Sequence, residues 1–335
     1  AAAVEKQLPD HVGLSALLVK STLEMKEILR IFSARGIKVP VICGGAALTP
    51  AFVSSALQPV YPGSVYYGAD AFAALKIMEG GATPKAKALR QKKAAEPAKL
   101  SVALTFEHRP LATPFLGVQT LQWNLADILP GLDKKTLIRS RWHMKEGPQA
   151  GKFIEEITNL LIDNHITNFP AAYGYFACRP QGRKRLLLNA TAGDVFLDFP
   201  IRKKISLAEY FRKSGDVAPF FIVSCGPDIA ILEKKLFSAD QYQLYMLLHG
   251  FGVQLAESLA AKMHQHIRRE LGLPEKQGKR FSPGYPAWPE LADQQKLVRL
   301  LAADKIGVTV SETFQLIPEL SVSAMVVCHP DAEYF

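Results

Sequence analysis

Cysteine is scarce and dispersed in this chain. Its four copies, Cys43, Cys178, Cys225 and Cys328, lie far apart, and no two form a CxxC pair. Neither a disulfide framework nor a cysteine-built zinc site is signalled, and a reducing setting such as the cytoplasm is expected. Long apolar runs are missing as well. None approaches the roughly 18–20 residues that a membrane span needs, so no membrane partner is expected. The amino end, Ala1-Ala-Ala-Val-Glu-Lys6, lacks the charged-then-apolar order of a secretory signal. It also lacks Met and starts mid-pattern, which suggests a piece of a longer protein. Among eight histidines only His264 and His266 are close, and helix positions two apart face different ways. No metal site follows. No Ser-His-Asp or Cys-His nucleophile set can be assembled, so no catalytic residue is named. No internal repeat is present.

What the chain does have is apolar material, at 48% of 335 residues. That supports real cores, and the length suggests two domains. The net charge of +9 is partly local. Lys85, Lys87, Arg90, Lys92, Lys93 and Lys99 crowd one Ala/Pro-rich stretch, which reads as a solvated linker rather than a nucleic-acid groove. Attraction toward an acidic protein partner stays open.

Residues 12–19 read as a buried strand. Ser21 with Glu24 makes a capping box, and Leu23, Ile28, Leu29, Ile31 and Phe32 carry an amphipathic helix that Gly36 ends. Val41-Ile-Cys43 is a second strand, followed by Gly44-Gly45. Thr49 and Pro50 open the next helix as N-cap and first turn. Val65-Tyr-Tyr67 is a third strand, with a helix from about Ala69 to Met78. This β-α alternation predicts a parallel sheet covered on both faces. Ligands sit at the carboxyl ends of such strands, where Ser15 and Gly44-Gly45 fall. The Gly pair fits either close ligand approach or plain tight packing.

Residues 81–112 are the expected linker. Beyond it a helix is predicted near 150–163, strands at 173–178, 185–188, 195–199 and 220–224, a long helix over roughly 238–271, and later strands at 308–310 and 323–327. Strands mixed with long helices, without strict alternation, argue for an antiparallel sheet with packed helices. The fold class is thus α/β followed by α+β. Its expected parts are a partial Rossmann-like unit (1–80), the linker (81–112) and an α+β domain (113–335).

Lys279-Arg-Phe-Ser-Pro-Gly-Tyr-Pro-Ala-Trp-Pro289 is the most constrained segment. Three prolines fix φ and remove backbone donors. Alone it reads as a Pro-rich surface turn or as a rigid cradle for a small polar ligand, with Arg280 and Tyr285 as its polar groups.

Two groups of segments together resemble the carboxyl-terminal half of cobalamin-dependent methionine synthase. Val12-Gly-Leu-Ser-Ala-Leu-Leu-Val-Lys-Ser-Thr22, Gly44-Gly-Ala-Ala-Leu-Thr49 and Val65-Tyr-Tyr-Gly-Ala-Asp-Ala-Phe72 resemble the second half of its cobalamin-binding domain. Residues 113–335 resemble its activation domain, through Tyr173–Cys178, Leu248–Glu257, Pro283–Ala287, Ile306–Glu312 and His329–Phe335. The resemblance implies binding of S-adenosylmethionine and remethylation of oxidised cobalamin, with a flavodoxin-like electron donor. It implies zinc only for modules upstream of this chain.

By the same resemblance, Arg280 holds the methionine carboxylate of S-adenosylmethionine, and Ser282, Tyr285, Asp133, Tyr334 and Phe335 contact that ligand. Glu257 is a ligand carboxylate or an ordinary polar-face Glu, and Asp133 a ligand or a capping Asp. Ser15, Val19, Ser21, Gly44, Gly45 and Ala46 match cobalamin-contacting positions. The chain departs from the family pattern in three places. Val19-Lys20 stands for the Thr-Pro of some members, and Phe281-Ser282 for Pro-Ala. No Asp-x-His-x-x-Gly, the motif of the cobalt-ligating His, is present. Weak or no cobalamin binding and no methionine synthesis by this chain alone are therefore expected. The rival expectation is a non-catalytic module that docks a flavodoxin-like or corrinoid protein.

Overall fold

The computed structural model describes residues 1–16, 19–45, 48–69, 71–78, 111–190 and 193–334. Most of the expected linker, Ala46 and Phe335 lie outside these, as does the side chain of Val19. The chain divides into two compact units, Ala1–Leu100 and Ser101–Phe335.

The first unit runs α1 (Ala2–Gln7), β1 (Val12–Ser15), α2 (Val19–Ala34), β2 (Val41–Gly44), α3 (Pro50–Phe52), β3 (Val65–Gly68) and α4 (Ala71–Met78). Its three strands are parallel, in the order β1-β2-β3. The register sets Ser15 beside Gly44 and Gly44 beside Gly68 at one carboxyl edge. Met25, Leu29 and Phe32 of α2 pack with Val41 and Cys43 in the core. Thr49 caps α3 as predicted, its hydroxyl accepting from Phe52 N at 3.2 Å, with Pro50 in the first turn.

Two expectations fail here. The strand predicted over 12–19 stops at Ser15, and among the described residues the last bond to β2 beyond it is Ala16 N–H to Gly44 O. Helix α2 then starts at Val19, so Ser21 lies inside the first turn and is not the N-cap.

The second unit holds a seven-stranded antiparallel sheet of order β7-β6-β5-β8-β12-β9, with β4 also on β5. Its strands are β4 (Gly117–Asn124), β5 (Asn168–Gln181), β6 (Arg185–Ala190), β7 (Gly193–Asp198), β8 (Asp216–Ser224), β9 (Lys279–Phe281) and β12 (Ser321–Val327); β10 (Thr309–Val310) and β11 (Leu316–Ile317) form a separate hairpin. The helices are α5 (Leu125–Ile128), α6 (Lys134–Thr136), α7 (Pro148–Asp163), α8 (Pro227–Ser238), α9 (Tyr242–Glu270) and α10 (Asp293–Leu300). The fourteen-residue β5 is shared end to end along one edge, by β4 from Asn168 to Tyr175 and by β6 from Ala177 to Gln181.

Phe176, Phe220, Phe281 and Met325 fill the core on one sheet face, together with Trp288 and Leu297. Helix α9 covers the other face, burying Leu248, Leu255, Leu259, Met263 and Ile267. The long helix predicted over roughly 238–271 is α9, and the shorter α8 before it ends at Ser238. The chain enters the left-handed region at Asp240, φ 58°, and α9 begins only at Tyr242. All four cysteines are buried and free of disulfides. No helix among the described residues is long and apolar enough to cross a membrane.

Candidate functional site

The site forms where edge strand β9 meets the middle of α9. Arg280, opposite Val326 in the ladder, donates from Nη2 to Oε2 of Glu257 at 2.8 Å. Such a charge-assisted bond is the stronger kind, and it fixes the guanidinium plane. The guanidinium side chain is 24% exposed and the carboxylate side chain 37%, so the pair faces solvent on one side. Nη1 of Arg280 is enclosed and has no hydrogen-bond partner among the described residues.

The loop after β9 is pinned from beneath. Ser282 donates its hydroxyl to Ser323 O at 2.6 Å. Gly284, at φ +89°, takes a backbone conformation that suits glycine. Its N–H reaches Trp288 O, and Trp288 N–H reaches Tyr285 O, both at 2.8 Å. Trp288 is fully buried, its ring edge-on to Phe199 at 5.3 Å. The loop therefore holds Tyr285, 39% exposed, on a fixed base. Burial pushes the Tyr285 phenol up, as does the Glu257 carboxylate, while Arg280 and Arg141 pull it down. These four groups share one neighbourhood.

The other expected ligand residues are placed less uniformly. Tyr334 is exposed, its ring 5.4 Å from that of the buried Phe281. Phe335 lies outside the described residues. Asp133 is exposed and caps α6, with Oδ1 accepting from Thr136 N at 2.9 Å and Oδ2 from Thr136 Oγ1 at 2.6 Å. Those bonds hold its carboxyl below the usual range. No described hydrogen bond joins it to the Arg280–Glu257 pair. It sits instead at the head of the helical segment that leads through the wider turn Leu137–Arg141 to Trp142.

Sequence reasoning missed Arg141 and Gln254. A Cβ on Gly250 of α9 would lie 3.3 Å from Cβ of Arg141, which places Arg141 against that helix. Gln254 stands one turn before Glu257, and that spacing was a signal available in the sequence. A second polar cluster lies toward the end of α9. Tyr173 and Tyr175 donate to the two oxygens of Glu270 at 3.0 and 2.6 Å, with His266 3.3 Å from the Tyr173 hydroxyl. It serves to anchor α9 on the sheet.

In the first unit, Ser15 is exposed at the end of β1 and Ser21 is half-buried in α2. Gly45, at φ +106°, has no room for a side chain because a Cβ would meet Ala16 O at 2.4 Å. Its smallness is consumed by its own chain, as tight packing requires. The one histidine of this unit, His11, precedes β1 and so lies at the opposite end of the sheet from Ser15 and Gly44. These residues do not by themselves supply a cobalt ligand.

Residues 200–335 match the family model described as vitamin B12 dependent methionine synthase, activation domain. Methionine synthase of Mycobacterium tuberculosis is 33% identical and that of Mycobacterium leprae 31% identical, each over 99% of this chain. The chain spans 35% of the length of each of these relatives. The MetH reactivation domain, solved bound to AdoHcy, shares the fold with a TM-score of 0.60 at 19% identity, over 68% of this chain and 83% of that one. Residues 200–335 belong to the vitamin B12 dependent methionine synthase activation domains, and the chain as a whole is similar to about a third of those methionine synthases.

Proposed function

We propose that residues 113–335 are the S-adenosylmethionine-binding activation module of a cobalamin-dependent methionine synthase, and that residues 1–80 are part of its cobalamin-binding domain. The observation that carries the reading is the Arg280–Glu257 pair, 2.8 Å apart, with a spare enclosed guanidinium nitrogen and the fixed Tyr285 beside it. A guanidinium fork suits the carboxylate of the methionyl part, and a carboxylate suits its ammonium or sulfonium. Cobalamin of the complete enzyme would be the methyl acceptor. The part played by this chain is to position the donor and exclude water. As part of the complete protein it serves a methyltransferase; alone it does not make methionine. The electron donor is a flavodoxin-like protein and the setting the cytoplasm, and zinc belongs to other modules of the enzyme.

Isothermal titration with S-adenosylmethionine tests the reading. Wild type binds, and Arg280→Ala weakens binding roughly 10- to 100-fold, the scale of a lost charge-assisted contact. Equal heats from both proteins would remove Arg280 from the site. No heat from wild type would favour the second reading, a non-catalytic module that docks a flavodoxin-like or corrinoid protein. That reading draws on the exposed Lys134, Lys135, Arg139 and Lys145, the last two lining a surface cavity of about 520 Å³.

A further inference from the structure

Three enclosed polar atoms near the Arg280–Glu257 pair have no hydrogen-bond partner among the described residues: Nη1 of Arg280, Nε of Arg141 and Oε1 of Gln254. They come from three separate elements, namely β9, the turn before Trp142 and the middle of α9. An enclosed N–H or C=O left without a partner is costly. Native structures keep few such groups.

Their convergence has a structural cause. Gly250 lets α9 approach the Arg141–Trp142 segment so closely that a Cβ there would lie 2.8 Å from the indole. Trp142 Nε1 donates to Leu247 O at 3.0 Å and locks this contact. Gly250, Gln254 and Glu257 follow one another at helical spacing along a single face of α9. Arg141 is therefore delivered to the face that bears Gln254 and Glu257. Its charge acts on the Tyr285 phenol together with those of Arg280 and Glu257.

Sorted by chemistry, the group is two guanidinium donors and two oxygen acceptors. That is the complement of an α-amino-acid head group, with a carboxylate for the donors and an ammonium for the acceptors. With Glu257 already bonded to Arg280, the second guanidinium leaves the cleft one positive charge in excess. This excess favours a ligand that carries a carboxylate.

Building on the proposed S-adenosylmethionine site, we infer that Arg141 and Gln254 complete a zwitterion clamp, Arg141 sharing the ligand carboxylate with Arg280 and Gln254 sharing its ammonium with Glu257. In this arrangement the clamp recognises the amino-acid end of the ligand and is indifferent to its nucleoside end.

Two ligands separate these ends. S-adenosylhomocysteine carries the amino-acid group, and 5′-methylthioadenosine keeps the nucleoside thioether without it. Titrations of the whole chain should show Arg141→Gln binding S-adenosylhomocysteine at least about 10-fold more weakly than wild type. Affinity for methylthioadenosine should change by less than about twofold. Arg141→Lys, a point charge without the fork, should recover only part of the loss. Gln254→Leu, which keeps the volume and removes the acceptor, gives an independent reading with the same ligand selectivity. Equal S-adenosylhomocysteine affinity in wild type and Arg141→Gln overturns the clamp, as does an equal loss for both ligands. Wild type that binds neither ligand overturns the function proposed above and the clamp with it. Wild type that binds both, with no effect of either substitution, overturns the clamp alone.

Discussion

The indole Nε1 of Trp288 donates to Oδ2 of Asp293 at 2.7 Å, beneath the loop that presents Tyr285. Trp288 is 0% exposed and Asp293 1% exposed, and Lys296 reaches the other oxygen of the carboxylate at 2.7 Å. Removing the indole N–H strands one oxygen of a buried anion. Trp288→Phe should therefore lose about 1–3 kcal/mol of stability. Urea unfolding followed by circular dichroism checks this, and an unchanged midpoint would show that the indole bond contributes nothing.

The two glycines of α9 make a matched pair. At Gly250 a Cβ meets the rigid indole of Trp142, which is held by its own hydrogen bond. At Gly252 it meets Cδ1 of Leu320 at 2.6 Å, the free end of a side chain that can rotate. Alanine in a helix interior gains up to about 1 kcal/mol over glycine. Overpacking against a rigid neighbour costs about 1–3 kcal/mol. Gly250→Ala should thus come out less stable than wild type, and Gly252→Ala near neutral. Identical unfolding midpoints for the two variants would contradict the asymmetry.

A half-buried histidine and a buried one pull stability in opposite directions with pH. His249 Nδ1 lies 3.1 Å from Glu233 Oε1, and that bond raises its pKa, aided by the Glu233 and Glu319 charges. Its contribution is complete below the unfolded value near 6.5 and is lost as pH rises through the higher folded value. His249→Gln should therefore cost more at about pH 6 than at about pH 9.

His264 runs the other way. Burial, then Arg268, Arg280 and Lys279, press its pKa down to about 3. The unfolded chain takes up a proton near pH 6.5 and the folded chain does not. Stability therefore falls on acidification, by about 1.4 kcal/mol per pH unit below 6.5. His264→Gln should flatten that slope in urea midpoints between about pH 6.5 and pH 4.5. An unaltered slope would mean that His264 protonates in the folded state.

Local chemistry was legible in the sequence, and long-range pairing was less so. Thr49-Pro50 announced a helix start through a hydroxyl cap and a residue that needs no N–H. The prolines of 279–289 announced a rigid loop, and the tight Tyr285–Trp288 turn follows from them. The end of β1 was not readable, because strand and helix there are equally apolar. Strand β4 went unread because Gln119, Thr120 and Gln122 face solvent, and its existence depends on pairing with β5. Arg280 and Glu257 were named through the resemblance. Their direct bond depends on the reversal at Gly272, φ +61°, which no spacing rule supplies. Arg141 was missed for the same reason, since what brings it to the cleft is the absence of a side chain at Gly250.

The four buried thiols have a practical consequence. Burial pushes Cys43 up to about 11, and Cys178, Cys225 and Cys328 are raised as well. Thiolate, the reactive form, is thereby suppressed while the chain stays folded. Alkylation can then proceed only through opening of the surrounding layers. Cys43 reports on the first unit and the other three on the second, so mass-resolved labelling would time the breathing of each half independently, with no added probe.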